Sequence, residues 1–196
     1  MNLDRLNPQQ QKAVLLEKGP LLILAGAGSG KTRTLTARIA HLVEQGIMAS
    51  RLLAITFTNK AAREMKERLE ELVGTEAHYL WVGTFHAISL RILRKYGHLL
   101  GYEKDFVIYD GTDQRTLVGN CLKELNMDSK RYPAKMVRVL ISQAKSQMTR
   151  LSEYRNHLDD DLWEVFELYE RKLKEYQAMD FDNILFKVVE LFEEHE

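Results

Sequence analysis

Residues 21–32 read Leu-Leu-Ile-Leu-Ala-Gly-Ala-Gly-Ser-Gly-Lys-Thr, and this stretch decides the fold of the chain. An apolar run comes first, a glycine-rich bend follows, and a helical pattern then begins, which is the order of a strand, a phosphate loop and a helix. Glycines at positions 26, 28 and 30 permit backbone dihedrals closed to other residues, so several N–H groups can converge on one phosphate chain. The stretch predicts a nucleotide-binding loop.

Each polar residue of this loop has its own chemical task. The Lys31 ammonium is expected to reach the β- and γ-phosphates, and the Thr32 hydroxyl to bind Mg²⁺. The helix that follows directs its positive N-terminal end toward the same charge. Alanine occupies position 25, where the common form of the motif has its first glycine, and this departure is mild. A nucleotide with Mg²⁺ is the expected ligand.

The composition is that of a globular chain with a sizeable core. Of the 196 residues 45% are hydrophobic and 29% charged, and the formal net charge is zero. The chain starts without a signal core, and no apolar run approaches the ~20 residues of a membrane span, so we expect a cytoplasmic protein with no membrane contact. Cys121 is the single cysteine, which excludes an internal disulfide and a cysteine-rich metal site.

Charge is segregated along the chain. Residues 1–100 hold 14 Lys and Arg against 8 Asp and Glu, and residues 130–155 hold seven basic residues against Glu153 alone. Residues 156–196 hold four basic residues against thirteen acidic ones. The basic segment at 130–155 is typical of a surface that follows a phosphate backbone, and equally of the solvated face of a helix. Both interpretations stay open at this point.

Strands alternate with helices in the first half of the chain. This order predicts an α/β fold with a parallel, doubly wound sheet and helices on both faces, whose ligands bind at the carboxyl ends of the strands. Residues 56–59 and 84–86 then lie at two of those ends. The predicted strands cover residues 21–24, 51–57 and 79–84, and the predicted helices cover residues 31–45, 59–73 and 85–96.

The pattern of the second half is helical and predicts no strand after residue 111. Asp110 ends an apolar run, as does the carboxylate that holds Mg²⁺ in phosphate-loop enzymes, but the Gly-Thr that follows favours a turn and a helix cap. Asp180 and Asp182, like residues 159–161, are interpreted as helix caps and first-turn acids. The predicted helices cover residues 112–125, 133–144, 162–176 and 181–192.

Five segments of the chain together indicate a known family. They are Leu6–Gln10, Ala25–Thr32, Ile55–Ala62, Gly83–His86 and Met179–Asp182. In order and spacing, these segments resemble the UvrD/Rep/PcrA-like superfamily 1 DNA helicases. Those enzymes have two RecA-like motor domains, each with a helical insertion, and move 3′ to 5′ along single-stranded DNA as ATP is hydrolysed between the motor domains.

This resemblance implies the amino-terminal part of such a helicase. The expected fold is an incomplete P-loop, RecA-like domain over residues 1–104, an all-α insertion over residues 105–178, and a helix over residues 179–196 that returns to the first domain. The chain is then expected to end before the Walker B segment, Asp-Glu-x-x-Asp, and to be catalytically incomplete by itself. A second motor domain of the same polypeptide is the implied partner, and the fragment is expected to be monomeric.

The resemblance also assigns residues to ATP and to DNA. Gln10 is similar to the family glutamine that reads adenine, beside its local role as a capping-box residue after Asn7 and Pro8. Core packing is the alternative for Phe57 and Phe85. The implied ATP-binding residues are Gln10, Gly26, Ala27, Gly28, Ser29, Gly30, Lys31, Thr32 and Arg33, with Lys31 and Thr32 catalytic and Thr32 the Mg²⁺ ligand. The implied single-strand contacts are Phe57, Asn59, Thr84, Phe85 and His86.

Two other function classes remain beside the helicase. A self-contained P-loop kinase or other NTPase requires Asp110 as its metal carboxylate. A non-catalytic nucleic-acid-binding module requires a vestigial loop. The intact Gly-Lys-Thr and the Thr-Asn-Lys and Thr-Phe-His segments favour the helicase, with single-stranded DNA and single-strand/duplex junctions as its nucleic-acid partners.

Overall fold

The computed structural model describes residues 3–16, 18–146 and 159–195. The chain forms two compact units, Met1–Ile88 and Ser89–Glu196. Within the described ranges, no helix combines the length and the apolar character needed to span a bilayer. The architecture is mixed α/β, with short parallel sheets and many helices.

The first unit consists of three helices and a two-stranded sheet, joined by short 3₁₀ turns. Asn7 caps the first helix, Pro8 is its first residue, and Gln10 completes the capping box, as the sequence predicts. The helices are α1 (Pro8–Leu15), α2 (Lys31–Glu44) and α3 (Asn59–Val73), the strands are β1 (Leu53–Thr56) and β2 (Trp81–Thr84), and the 3₁₀ turns are Ala49–Arg51 and Gly74–Tyr79.

The two strands of this unit run parallel, and their ends coincide. Leu53 is opposite Trp81 at one end of the ladder, and Thr56 is opposite Thr84 at the other. Residues of α2 and α3 pack with the two strands in one apolar cluster. This cluster holds in place the ends of the strands that precede Phe57 and Phe85. The buried members are Ile39, Ala49, Ala54, Met65, Leu69, Ala77 and Leu80.

The predicted strand at residues 21–24 does not form. A strand exists only through ladder hydrogen bonds to a neighbour, and in the described part of the chain β1 pairs with β2 alone. Leu22 and Leu24 are 81% and 85% exposed, whereas Leu21 and Ile23 are 40% and 36% exposed, so only alternate residues of the apolar run are partly covered. The sheet of this unit therefore has two strands where the sequence predicts three.

The helix α4 (Phe85–Tyr96) carries the chain into the second unit, which is mostly helical. A three-residue parallel ladder pairs Val107 with Ala178 and Tyr109 with Asp180. The prediction of no strand after residue 111 is wrong, because Ala-Met-Asp contains no β-branched or aromatic residue that would mark a strand. The further elements are a 3₁₀ turn (Gly97–Leu100), β3 (Val107–Tyr109), α5 (Gly111–Glu124), α6 (Ala134–Ser146), α7 (Asp160–Glu175), β4 (Ala178–Asp180) and α8 (Phe181–Glu194).

Two apolar clusters hold the second unit together. One joins α5, α6 and α7 and includes Cys121, whose burial raises the pKa of its thiol to about 11. The other joins α4, the loop after it, β4 and α8. Its buried members are Leu93, Tyr102, Phe106, Met179, Ile184 and Val188.

Candidate nucleotide and nucleic-acid site

The glycine-rich loop before α2 folds as a compact turn. Ser29 donates to the Gly26 carbonyl oxygen through its backbone N–H at 3.4 Å and through Oγ at 2.7 Å. Gly28 and Gly30 have φ values of +73° and +85°, in the left-handed region that favours glycine. A Cβ at Gly28 would meet no atom within 4 Å, so the backbone conformation, rather than crowding, requires glycine there.

Lys31 lies across this turn. Its Nζ donates to the carbonyl oxygens of Ala25 at 2.8 Å and Gly26 at 2.6 Å, so the ammonium is held at the loop while remaining exposed. Gly30, the N-cap of α2, has no side chain to cap the helix, and the first N–H groups of α2 are left for another acceptor. A cation and an uncapped helix start at one place suit an anionic ligand.

Gln10 connects α1 to the loop. Its Nε2 donates to the Ser29 carbonyl oxygen at 2.9 Å, and its Oε1 accepts the Asn7 backbone N–H at 3.0 Å. The capping role and the place at the nucleotide loop are therefore compatible, since one amide serves both. A Cβ on Gly30 would lie 3.0 Å from this Nε2, which shows how closely the glutamine approaches the loop.

A cavity of about 430 Å³ opens at the loop. Arg68, on α3, lines it although no sequence motif marks this residue, and the only signal for it was the basic excess of the first hundred residues. A neighbouring cavity of about 370 Å³ shares Arg33 and Arg68 and adds Arg5. The lining of the first cavity is Gln10, Gly28, Ser29, Gly30, Lys31, Thr32, Arg33 and Arg68.

Two aromatic rings lie together where β1 and β2 end. Phe57 follows the paired Thr56 and is 91% exposed, and Phe85 follows Thr84 and is 48% exposed. Their ring centroids are 5.9 Å apart with an interplanar angle of 48°. Core packing is thereby excluded for Phe57, and the pair forms a largely exposed aromatic surface.

The polar residues predicted beside these rings occupy helix starts. Thr84 Oγ1 accepts the Ala87 backbone N–H at 3.2 Å. Thr58 caps α3 by accepting the Ala61 N–H at 3.2 Å, so Asn59 is the first residue of the helix. The side chains of Asn59 and His86 are exposed. Of the five predicted DNA contacts, Thr84 is thus the last residue of β2, and the other four lie within three residues after the end of β1 or β2.

Asp110 is a helix cap. Its carboxylate accepts the backbone N–H groups of Thr112 at 2.6 Å and Asp113 at 3.0 Å, and Asp113 accepts the N–H of Asp110 at 3.1 Å. The hydrogen bonds from the Asp113 and Thr112 backbone lower the pKa of this carboxyl group. This capping box confirms the sequence interpretation and disfavours Asp110 as a metal ligand.

The basic segment does not behave uniformly. Lys130, Arg131 and Lys135 are exposed, whereas Lys145 is only 6% exposed and lies between two carboxylates, at 2.5 Å from Glu170 and 2.6 Å from Asp180. Lys145 is therefore not available to a phosphate backbone, and at this residue both interpretations of the segment, the phosphate-binding surface and the solvated face, are wrong. Part of the segment, residues 147–155, lies outside the described residues.

The acidic partners explain why a buried lysine keeps its charge. Burial opposes the charged form of Lys145, but Glu170 and Asp180 outweigh it and raise the pKa of the ammonium. Asp180 also accepts the Tyr169 hydroxyl at 2.9 Å and caps α8 through the Asn183 N–H at 2.7 Å. The predicted cap is confirmed, and the ionic network around it carried no sequence signal because its members are far apart in the chain.

The model of the UvrD/REP helicase N-terminal domain matches residues 6–196. The chain belongs to this family. The UvrD/REP match includes the glycine-rich loop, both aromatic residues at the strand ends and the buried ionic network.

Three relatives named ATP-dependent DNA helicase PcrA agree with the UvrD/REP assignment. The protein of Leuconostoc citreum is 44% identical over 194 residues, which is 96% of this chain and 26% of the relative. The proteins of Staphylococcus aureus strain Mu50 and Staphylococcus epidermidis are 43% and 44% identical over 196 residues, or 97% of this chain and 27% of each relative. The chain thus spans about a quarter of the length of these curated relatives.

Proposed function

We propose that the chain is the amino-terminal part of an ATP-dependent 3′–5′ DNA helicase, with ATP–Mg²⁺ at the phosphate loop and single-stranded DNA at the strand ends. The observation that carries this proposal is one juxtaposition within the first unit. An ammonium is held over a glycine loop at the start of α2, and an exposed aromatic pair follows β1 and β2. The printed name of the relatives, ATP-dependent DNA helicase, supports it.

The loop suits the phosphates of a nucleotide. Lys31 would exchange its two carbonyl acceptors for β- and γ-phosphate oxygens, and the N–H groups at the start of α2 would donate to the same chain. Arg33 and Arg68 line the cavity and add positive charge beside it. The proposed nucleotide contacts are those predicted from the sequence, with Arg68 added.

The residues at the loop fit Mg²⁺ carried by a nucleotide. Thr32 supplies one exposed hydroxyl oxygen at the start of α2, and Mg²⁺ commonly binds one or two protein oxygens together with substrate phosphates and waters. Across residues 3–16, 18–146 and 159–195, no group of three or more His, Cys, Asp or Glu side chains is arranged to hold a metal ion. When bound, Mg²⁺ would neutralise charge on the β- and γ-phosphates.

Gln10 suits the adenine base. Its Oε1 has one lone pair engaged by Asn7 and its Nε2 has one N–H engaged by Ser29, which leaves one acceptor site and one donor. A free amide acceptor and donor match the N6 amino group and N7 of adenine, a pairing that glutamine makes elsewhere with this base. Guanine presents acceptors at both positions, so Gln10 would discriminate against it.

The strand ends suit single-stranded DNA of any sequence. Phe57 and Phe85 offer ring faces on which bases can stack, and stacking does not depend on base identity. Asn59, Thr84 and His86 add polar groups along the same ends. The exposed residues Lys130, Arg131 and Lys135 would contact phosphates of the duplex at a junction.

We further propose a RecA-like arrangement for the whole protein. Residues 1–104 and 179–196 would belong to the motor domain and residues 105–178 to its insertion, and the exposed Leu22 and Leu24 would be covered where the run at 21–24 pairs within a larger sheet. A second motor domain would close the nucleotide site and supply charge for phosphoryl transfer. This chain by itself would bind ATP without appreciable turnover.

Two binding titrations test the proposal. ADP with Mg²⁺, followed by calorimetry, and a fluorescent single-stranded oligonucleotide, followed by anisotropy, should both bind this chain. Binding of DNA without nucleotide would support the vestigial-loop module instead, and DNA-stimulated hydrolysis at helicase rates by these 196 residues would support a self-contained NTPase. Absence of binding in both titrations would overturn the proposal.

A further inference from the structure

The short helix α1 depends on neighbouring elements for its stability and position. It has eight residues, and isolated helices of fewer than about 12–15 residues are marginal in water. Val14 is its one fully buried residue and packs with Leu6 and with Ala37 of α2. The place of α1, and of Gln10 on it, is therefore set by contacts with neighbouring elements.

Arg38 makes the principal polar contact at the C-terminal end of α1. Its Nη1 donates to the carbonyl oxygens of Ala13 at 2.9 Å, Val14 at 3.4 Å and Leu16 at 2.6 Å. The last four carbonyls of a helix have no intrahelical donor, and a cation there also complements the helix dipole. Because Arg38 follows Ala37 on α2, one short stretch of α2 binds α1 by both an apolar contact and hydrogen bonds.

The other end of α1 meets the phosphate loop through Gln10 and Ser29. The helix α1 is thus attached to the loop at its start and to α2 at its end, and α2 itself begins at that loop. Arg38 does not line the cavity at the loop, so it has no contact of its own to offer a ligand there. Its influence on that site passes through the position of α1.

We propose that Arg38 is a positioning residue for base recognition, which holds α1 where the Gln10 amide can read adenine. This inference rests on the proposed function, in which Gln10 contacts the base. Loss of the Arg38 contacts would let the C-terminal end of α1 move and would misplace Gln10. The phosphate loop, which leads directly into α2, would keep its shape. Base selectivity would fall and phosphate binding would persist.

Calorimetry with three probes separates these effects. The probes are ADP, GDP and inorganic tripolyphosphate, each with Mg²⁺, and the variants are Gln10→Ala, Arg38→Gln and Arg38→Lys, with the exposed Arg51→Gln as matched control. We expect Arg38→Gln to lower ADP affinity about fivefold, the equivalent of one hydrogen bond, and to leave GDP and tripolyphosphate affinity unchanged. Arg38→Lys should keep part of the selectivity, since an ammonium can still donate to these carbonyls.

The Gln10 variant distinguishes the two ways of failing. If Gln10→Ala loses the preference for ADP and both Arg38 variants keep it, the role of Arg38 is refuted while the base-reading role of Gln10 stands. If Gln10→Ala keeps the preference, the proposed adenine contact fails and the inference fails with it. The double variant Gln10→Ala/Arg38→Gln should lose no more than Gln10→Ala, and an additive loss would show that Arg38 acts by another route. Should Arg38→Gln fold poorly, Arg38→Lys carries the same comparison.

Discussion

The rings of Phe57 and Phe85 are 5.9 Å apart, although 28 positions separate the two residues in the sequence, because each directly follows one strand of the same parallel pair. The carboxyl ends of parallel strands lie at the same end of a sheet, and this brings the two rings together although α3 lies between them in the sequence. The pairing makes a surface that either residue alone would not provide.

Removal of one ring should weaken binding of single-stranded DNA. Phe57→Ala is expected to cost roughly 1–3 kcal/mol, the range for one lost base-stacking contact, with no change in ADP affinity. Phe192→Ala provides the matched control, because this ring is also exposed but lies in the second unit. Equal DNA affinity for Phe57→Ala and Phe192→Ala, by fluorescence anisotropy, would remove Phe57 from the DNA surface.

Lys31→Ala should abolish most of the nucleotide affinity. A charge-assisted hydrogen bond to phosphate contributes about 1.5–3 kcal/mol to the binding free energy, so ADP affinity is expected to fall roughly ten- to hundredfold. Single-strand affinity should stay unchanged. Lys18→Ala, an exposed lysine outside the loop, is the control in the same calorimetric titration. Unaltered ADP binding by Lys31→Ala would mean that the loop is not the phosphate site.

The buried ionic network should be essential to the second unit. Lys145→Met leaves the carboxylates of Asp180 and Glu170 without a cation, and breaking a buried pair in this way typically costs about 3–5 kcal/mol. Lys135→Met, at an exposed position of the same helix, should change the free energy of unfolding little. Urea unfolding measures both, and similar values for the two variants would contradict the network's structural role.

The same lysine gives stability a dependence on alkaline pH. The pKa of Lys145 is raised above 10.5 in the folded chain, so its stabilising effect is complete below that pH and is lost as the pH rises toward the folded-state pKa. Burial also raises the pKa of Tyr102 and Tyr169 above 10.0, and both hydroxyls therefore act in the same direction. The free energy of unfolding should fall between about pH 9.5 and 11, the range around the ordinary pKa values of tyrosine and lysine. The fall should be smaller in Lys145→Met, and an equal fall would exclude Lys145 as a contributor.

Asp110→Ala separates the helicase proposal from a self-contained NTPase. Loss of the cap should lower the melting temperature, because two N–H groups at the start of α5 lose their acceptor. The affinity for ADP with Mg²⁺ should not change, and hydrolysis should stay at background in both proteins. Asp105→Ala is the exposed control. A loss of Mg²⁺-dependent ADP binding in Asp110→Ala alone would make Asp110 a metal carboxylate.

Local chemistry made much of this chain predictable. The glycine loop, the Asn7–Gln10 capping box, the Asp110 cap and the helix over residues 85–96 depend on residues close in sequence, and the structure has each of them. Long-range features were less accessible. The strand β4 lacks strand-forming residue types, and Arg68 belongs to no motif. The sequence predicts Lys145 to be a surface residue, because its carboxylate partners Glu170 and Asp180 are distant in the chain.

The strand predicted at 21–24 failed for a different reason. Its apolar sequence is suited to a buried strand, but a strand forms only where a neighbour supplies the ladder, and in the described residues β1 and β2 pair with each other and not with residues 21–24. The sequence pattern thus predicts which secondary structure a segment can adopt, whereas the formation of a strand depends on the other strands of the sheet.

The burial of Lys145 has a consequence for any measurement made at varied ionic strength. Salt screens exposed charges over a Debye length of about 10 Å at 0.1 M but acts weakly on charges shielded from solvent. Lys145 and Asp180 are shielded in this way, whereas the side chains of Lys130, Arg131 and Lys135 are exposed to solvent. Added salt would therefore release the surface cations from a nucleic acid while the interior pair keeps the second unit folded. In a salt series, the loss of contacts made by these surface cations would therefore be separable from unfolding of the second unit.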